Sequence, residues 1–216
     1  MIISRTPLRV SFIGGGSDIP KFYRNNPEGG AVISTTIDQY VYVAVNKLLE
    51  DKIKVKYSVN EEVEKVEDIK NTRVRAVLEE FKIKGGVEIT SMATMPHSSG
   101  LGGSSAFTVG LLKAVAAFAS EDFFKAYRAL AEYAYLIEAD KLGEPLGKQD
   151  QFASVYGGFN LIEFKKGDHI DSVKITPLKV PEDFKDYLLF FYTGNGHKAS
   201  EVLGSYNFEG FEEMVS

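Results

Sequence analysis

Three short stretches of this chain gather residues that could handle a phosphate group, and they lie far apart in sequence. The first, "MPHSSGLGGSSAF", follows a predicted strand and opens a predicted helix. Gly100, Gly102 and Gly103 let the backbone approach an anion closely, with no β-carbon in the way. Ser104 and Ser105 stand at the helix start, where unpaired N–H groups carry about half a positive charge. Their hydroxyls can cap the helix, bind a phosphate oxygen or ligate magnesium. The loop is not a Walker A loop, which needs a lysine after its glycines. Nor is it the dinucleotide fingerprint, whose third glycine would fall on Ser105. Without a lysine, a polyphosphate here needs a metal and side chains from elsewhere.

The second stretch is "IEADKLGEPLGKQDQF". Glu138 lies near the end of a predicted helix, and Asp150 opens the next one after a glycine-bounded loop. Two carboxylates so placed could reach one magnesium ion, or Asp150 could orient or deprotonate a substrate hydroxyl. The third is "RTPLRVSFIGGGSDIPKFY", which sets Arg9 inside a strand and Asp18 just after three glycines. Each stretch also has an ordinary explanation: a flexible turn with a serine cap, a solvated helix face, an Asx-turn. Spacing alone does not choose.

The elements that must position these residues read as strands first and helices later. Strands are predicted for residues 2–13, for one or two segments within "GGAVISTTIDQYVYVAVNK", and for "KIKVKYSV" and "VEITSMAT". Asn71 is placed to cap a helix closed by Gly85-Gly86. Further helices are expected over 104–119, from a Ser120 cap to Gly143, and over "QDQFASVYGG". "FNLIEFK", "SVKITPL" and "DYLLFFYTG" read as strands, and "KASEVL" as a helix starting. This order indicates α+β. In 216 residues, 44% hydrophobic and 12% aromatic content can bury a core. The net charge of −5 argues against nucleic acid or an anionic membrane as partner. The longest apolar run is too short to span a bilayer, and no cysteine is present, which fits a cytoplasmic protein. His97, His169 and His197 show no metal-ligand spacing.

Taken together and in this order, the three stretches resemble the GHMP kinases (galactokinase, homoserine, mevalonate and phosphomevalonate kinases). Within them the chain looks most like sugar kinases of the D-glycero-D-manno-heptose 7-phosphate kinase type, on "GGAVISTTIDQY", "FTVGLL" and "QDQFASVYGGFN". The resemblance implies an α+β GHMP N-terminal domain over 1–185, a two-layer mixed sheet with helices on one side like a ribosomal-protein second domain. It implies the start of a C-terminal ferredoxin-like domain over 186–216, largely absent. ATP is the implied cofactor, bound along Pro96, Ser99, Gly100, Leu101, Gly102, Gly103, Ser104 and Ser105. Magnesium is implied on Ser104 and Glu138. Asp150 is implied as the catalytic base or orienting group, with Arg9 beside it. Asp18, Gly15 and Gly16 are implied at the sugar, and so, more weakly, are Ser34, Thr35, Thr36 and Asp38.

The implied substrate is a sugar or sugar phosphate, heptose 7-phosphate first, with Lys21, Arg24 and Lys148 as candidates for its phosphate. A galactokinase- or fucokinase-like hexose kinase is one alternative. A nucleotide- or sugar-binding remnant without turnover is another. Apolar "DYLLFFYTG" leaves a homodimer or a complementing C-terminal chain open.

Overall fold

The computed structural model describes residues 1–96, 98–120, 125–167, 171–191 and 194. Its spine is one 18-residue strand, β2 (Gly30–Lys47), whose alternating β-branched residues bury Val41, Val43 and Val45 on a single face. Strand β1 (Ile2–Ile13) pairs antiparallel along one edge of β2. The other edge is shared. β6 (Phe159–Lys165) takes its first half and β5 (Val87–Ala93) its second, both antiparallel. β7 (Ser172–Pro177) extends β6, while β3 (Ile53–Lys56) runs parallel to β5 and pairs with β4 (Asn60–Val63). The result is a mixed sheet, as the family resemblance implies.

Helices cover the face that carries the buried valines. A short α1 (Pro20–Tyr23) follows the glycine turn after β1. Helix α2 (Thr72–Glu80) is capped by Asn71, whose Oδ1 accepts the Val74 N–H at 3.1 Å. Helix α3 (Gly103–Phe118) lies against β1 and β2, and α2, α4 and α5 pack around it. An apolar run on nearly all sides suits a helix enclosed in this way. Ser4 Oγ donates to the Gly110 carbonyl at 2.8 Å and seats α3 on β1. Helix α4 (Tyr127–Leu136) runs directly into a π-helical turn, Ile137–Lys141, and α5 (Gln149–Tyr156) follows the next loop.

Several expectations shift. The β2 segment is one continuous strand, and β4, which makes a hairpin with β3, is not among the predicted strands. Helix α2 stops at Phe81, ahead of the glycines, with Lys82 turning at φ +53°. Ser120 ends α3 at φ +58° and does not cap α4, whose N-cap is Ala126. "DYLLFFYTG" is not a strand over its described residues. It begins in a 3-10 turn, Phe184–Tyr187, pinned by edge contacts among Phe12, Phe159 and Phe184 at 5.4–6.1 Å. Beyond it Leu189 and Phe191 are 81% and 76% exposed, with no neighbouring strand among the described residues to pair them. "KASEVL" and all three histidines lie outside the described residues.

The weight of the core on α3 gives a stability test. Leu112 is fully buried in the main cluster. Leu112→Ala is expected to cost about 2–5 kcal/mol of unfolding free energy, read from urea denaturation. A loss below about 1 kcal/mol would place the core elsewhere.

Candidate active site

Where β1 meets β2 the register slips. β1 advances from Pro7 to Arg9 while β2 advances from Tyr40 to Thr36, so residues 37–39 bulge out of β2. Such irregularities re-aim side chains. Arg9 leaves the sheet beside the glycine loop, and its backbone N–H donates to the Leu101 carbonyl at 3.1 Å. Its guanidinium donates Nη1–H to the Gly100 carbonyl at 2.6 Å. Nε–H and Nη2–H go to the two oxygens of Asp150 at 2.7 and 3.0 Å. This bidentate pair fixes the plane of the Asp150 carboxylate, which remains 24% exposed. An ionised carboxylate offers about four lone-pair directions, and Arg9 fills two. The other two are available to a hydroxyl donor.

Asp18 sits beside this pair and is 2% exposed. It accepts from the N–H of Gly16 and from the N–H and side-chain amide of Gln149, at 3.1–3.3 Å. A β-carbon on Gly147 would fall 1.9 Å from Asp18 Oδ2, so only glycine permits this closeness between the two turns. Burial pushes the Asp18 carboxyl up to about 6, with Asp150 adding to the rise and the Gln149 and Gly16 N–H groups opposing it.

Arg9, Asp18 and Asp150 line a cavity of about 1010 Å³ together with Gly15, Gly16, Pro96, Ser99, Gly100, Gly102, Gly103, Ser104 and Ser105. That volume suits a nucleotide with a second small molecule. Leu101 is buried beneath the loop and acts through its carbonyl. Gly102 is the N-cap of α3 at φ +71°, and the helix has no side-chain cap, so its first N–H groups keep their capacity for an anion. The serines therefore do not cap, contrary to one expectation. Ser104 is exposed to the cavity, and Ser105 turns inward.

The implied magnesium ligands Ser104 and Glu138 do not both face the cavity. Glu138 is fully buried and does not line the cavity. The π turn carries it under α3, where Ser105 Oγ and Thr108 Oγ1 donate to it at 2.9 and 2.7 Å. Gln151 Nε2 donates at 2.5 Å and Arg73 Nε at 3.4 Å. Four donors occupy the carboxylate and leave no lone pair for a cation, so magnesium does not fit between Ser104 and Glu138 in this arrangement. Among the described residues no group of three or more acidic or histidine side chains could hold a metal. Arg73 instead extends to Glu144 as well, at 2.5 Å, and both line the cavity. Burial pushes the Glu144 carboxyl up, and the Arg73 charge opposes that rise.

Thr35, Thr36 and Asp38 do not reach the cavity. Thr36 is consumed by β-structure, its Oγ1 accepting the Gly158 N–H at 2.8 Å. Asp38 sits on the exposed bulge and holds the Tyr40 hydroxyl, whose pKa it raises. Ser34 is buried within the sheet. The phosphate candidates are also elsewhere. Buried Lys148 pairs with Glu132 at 3.2 Å, Arg24 pairs with Asp171 at 2.7 Å, and neither these nor Lys21 lines the cavity. Residues the sequence did not single out are Arg73, Thr108, Glu144 and Gln151. One signal existed: Arg73 lies in the first turn of α2, where the helix dipole disfavours a cation, so a compensating carboxylate was to be expected.

Comparison with known proteins gives consistent likenesses. Residues 69–158 match the model of the GHMP kinases N terminal domain. The chain is 31% identical over 191 residues to D-glycero-alpha-D-manno-heptose 7-phosphate kinase of Campylobacter jejuni, covering 83% of this chain and 54% of that one. It is 27% identical over 221 residues to the bifunctional fucokinase/GDP-fucose pyrophosphorylase of Arabidopsis thaliana, covering 91% of this chain and 20% of that one. Among solved structures, a D-glycero-D-manno-heptose 1-phosphate kinase from Bacteriodes thetaiotaomicron superimposes with TM-score 0.73 at 28% identity, over 84% of this chain and 61% of that one. The chain thus spans about half the length of its Campylobacter relative.

The raised Asp18 pKa has a defined consequence for stability. The folded state keeps a proton that the unfolded chain releases near 3.8, so this group's contribution falls as pH rises from about 4 to about 6, then levels off. Asp18→Asn removes that titration. The stability difference between wild type and Asp18→Asn should therefore shift against the wild type by about 2 kcal/mol between about pH 4.5 and 7.5. Urea denaturation across that range reads it, and a flat difference would refute the burial argument.

Proposed function

We propose that this chain, which carries a GHMP kinase N-terminal domain, is an ATP-dependent sugar kinase, with the anomeric hydroxyl of heptose 7-phosphate as its acceptor. The observation that supports this most directly is the Arg9–Asp150 pair standing beside the start of α3 in the cavity wall. The nucleotide's phosphates lie along residues 100–105, where Gly100 and Gly102 expose backbone and the α3 N-terminus supplies positive potential. The sugar hydroxyl donates to the free side of Asp150, and Asp18 accepts from a neighbouring hydroxyl. The acceptor oxygen bonds to the γ-phosphorus, the bond to the β–γ bridging oxygen breaks, and ADP leaves. Asp150 aligns the attacking hydroxyl and receives its proton, while Arg9 keeps the carboxylate in plane. Phosphoryl transfer needs mainly such positioning and charge neutralisation.

Magnesium enters this reading as part of the donor, the Mg·ATP complex, since Glu138 has no lone pair to give it. The same reading divides the chain into an ATP- and sugar-binding unit over 1–185 and the beginning of a second domain from 186. It takes the exposed apolar residues 187–191 as the place for a second copy or a complementing chain. No helix among the described residues is long and apolar enough to cross a membrane, and a cytoplasmic setting belongs to the proposal.

The test is ADP release from Mg·ATP with heptose 7-phosphate, galactose, fucose and mannose offered in parallel. Turnover is expected to be highest with heptose 7-phosphate and to fall at least about a hundredfold in Asp150→Asn. Near-full activity in that variant would remove Asp150 from its role. ATP binding by calorimetry without release on any acceptor would favour the remnant that binds without turnover.

A further inference from the structure

We infer that Arg73 is the cation the phosphate loop lacks, a residue that holds the polyphosphate of the donor against the start of α3. The inference rests on the kinase reading of the cavity and adds to it the group that replaces a loop lysine. Residues 98–105 contain no lysine or arginine, yet Arg73 lines the same cavity with its side chain 20% exposed. It stands in the first turn of α2, where the helix dipole works against a positive charge. Two carboxylates therefore hold it there, Glu144 closely and Glu138 at a long 3.4 Å.

The connection to the phosphate loop is short. Glu138 also accepts from Ser105, a residue of the first turn of α3, so one carboxylate links Arg73 to that helix start. Glu138 takes four donors here, and among the described residues at this node the positive charge is the Arg73 guanidinium. Its Nη1 has no partner among the described residues, and a guanidinium carries five N–H donors in a fork that matches phosphate oxygens. Glu144, which shares the cavity wall, partly neutralises Arg73. It thereby sets how much positive charge a polyphosphate meets.

The probe is inorganic tripolyphosphate, titrated into the whole chain by calorimetry in excess chelator, with Mg·ATP titrated separately. Arg73→Gln should weaken tripolyphosphate binding about tenfold or more, as loss of a charge-assisted phosphate contact does, and Arg73→Lys should restore part of it. Glu144→Gln should tighten binding, because Arg73 is then less neutralised. A purely structural role for the ion pair would weaken binding in both. Lys52→Gln, an exposed lysine outside the cavity, should change nothing. If wild type binds tripolyphosphate and Arg73→Gln binds it equally well, the inference is wrong and the kinase reading stands. If wild type takes neither tripolyphosphate nor Mg·ATP, both fall. Should Arg73→Gln fail to fold, Glu144→Gln still decides: affinity that does not rise overturns the proposal.

Discussion

The site depends first on one ion pair, Arg9 with Asp150, which joins two segments 141 residues apart. Arg9 also donates its side chain to the Gly100 carbonyl and its backbone N–H to that of Leu101, so β1, the glycine loop and α5 are tied through a single residue. Removing one partner of a well-buried pair costs about 3–5 kcal/mol, because the other charge is left desolvated. Here Asp150 keeps a quarter of its side chain in solvent, so the energetic stake is smaller and the geometric one dominates. The bidentate fork leaves Asp150 one orientation with its free edge in the cavity. A shift of the loop would disturb the carboxylate, and in the proposed reading that coupling joins the phosphate site to the acceptor site.

A second node sits beneath the first. Glu138 gathers α2, α3 and α5 through Arg73, Ser105, Thr108 and Gln151, and the π turn at the end of α4 puts it there. A fully buried carboxylate survives only when its lone pairs are satisfied, and each of its donors comes from an element that shapes the cavity wall. Asp150 and Gln151 are adjacent in sequence, yet one faces the cavity and the other the node. A single turn of α5 thus links the exposed pair to the buried one.

Much of this was legible in the sequence, and what was not has physical reasons. Strand β1, the Asn71 cap, α3 and α5 follow from local patterns, because period and capping are local properties. The cavity's loop, Arg9, Asp18 and Asp150 were identifiable because three motifs occur in order. That Ser105 and not Ser104 meets Glu138 was not legible, because residues 104 and 105 point to different sides of a helix and only packing decides which meets a glutamate displaced by a π turn. Thr36 and Asp38 were misplaced because the bulge at 37–39 is a register event between strands, invisible in either strand alone. Residues 188–191 look like strand, but a strand needs a neighbour, and composition does not say whether one exists.

The charge balance of the cavity explains why its parts are arranged as pairs. Its lining holds two arginines, Arg9 and Arg73, against three carboxylates, Asp18, Glu144 and Asp150. Free cations would bind polyphosphate indiscriminately, and a free carboxylate cluster would repel it. Two of the three carboxylates are paired, which leaves the wall one negative charge from neutrality, so in the proposed reading affinity comes from directed groups: the N–H groups at the start of α3 and the spare donors of Arg73. On the same reading, a donor that brings its own divalent cation would enter a site that repels it little and orients it. Orientation is what the proposed in-line transfer to a hydroxyl at Asp150 would require. In a wall built this way, the carboxylate that restrains an arginine matters as much to the ligand as the arginine does.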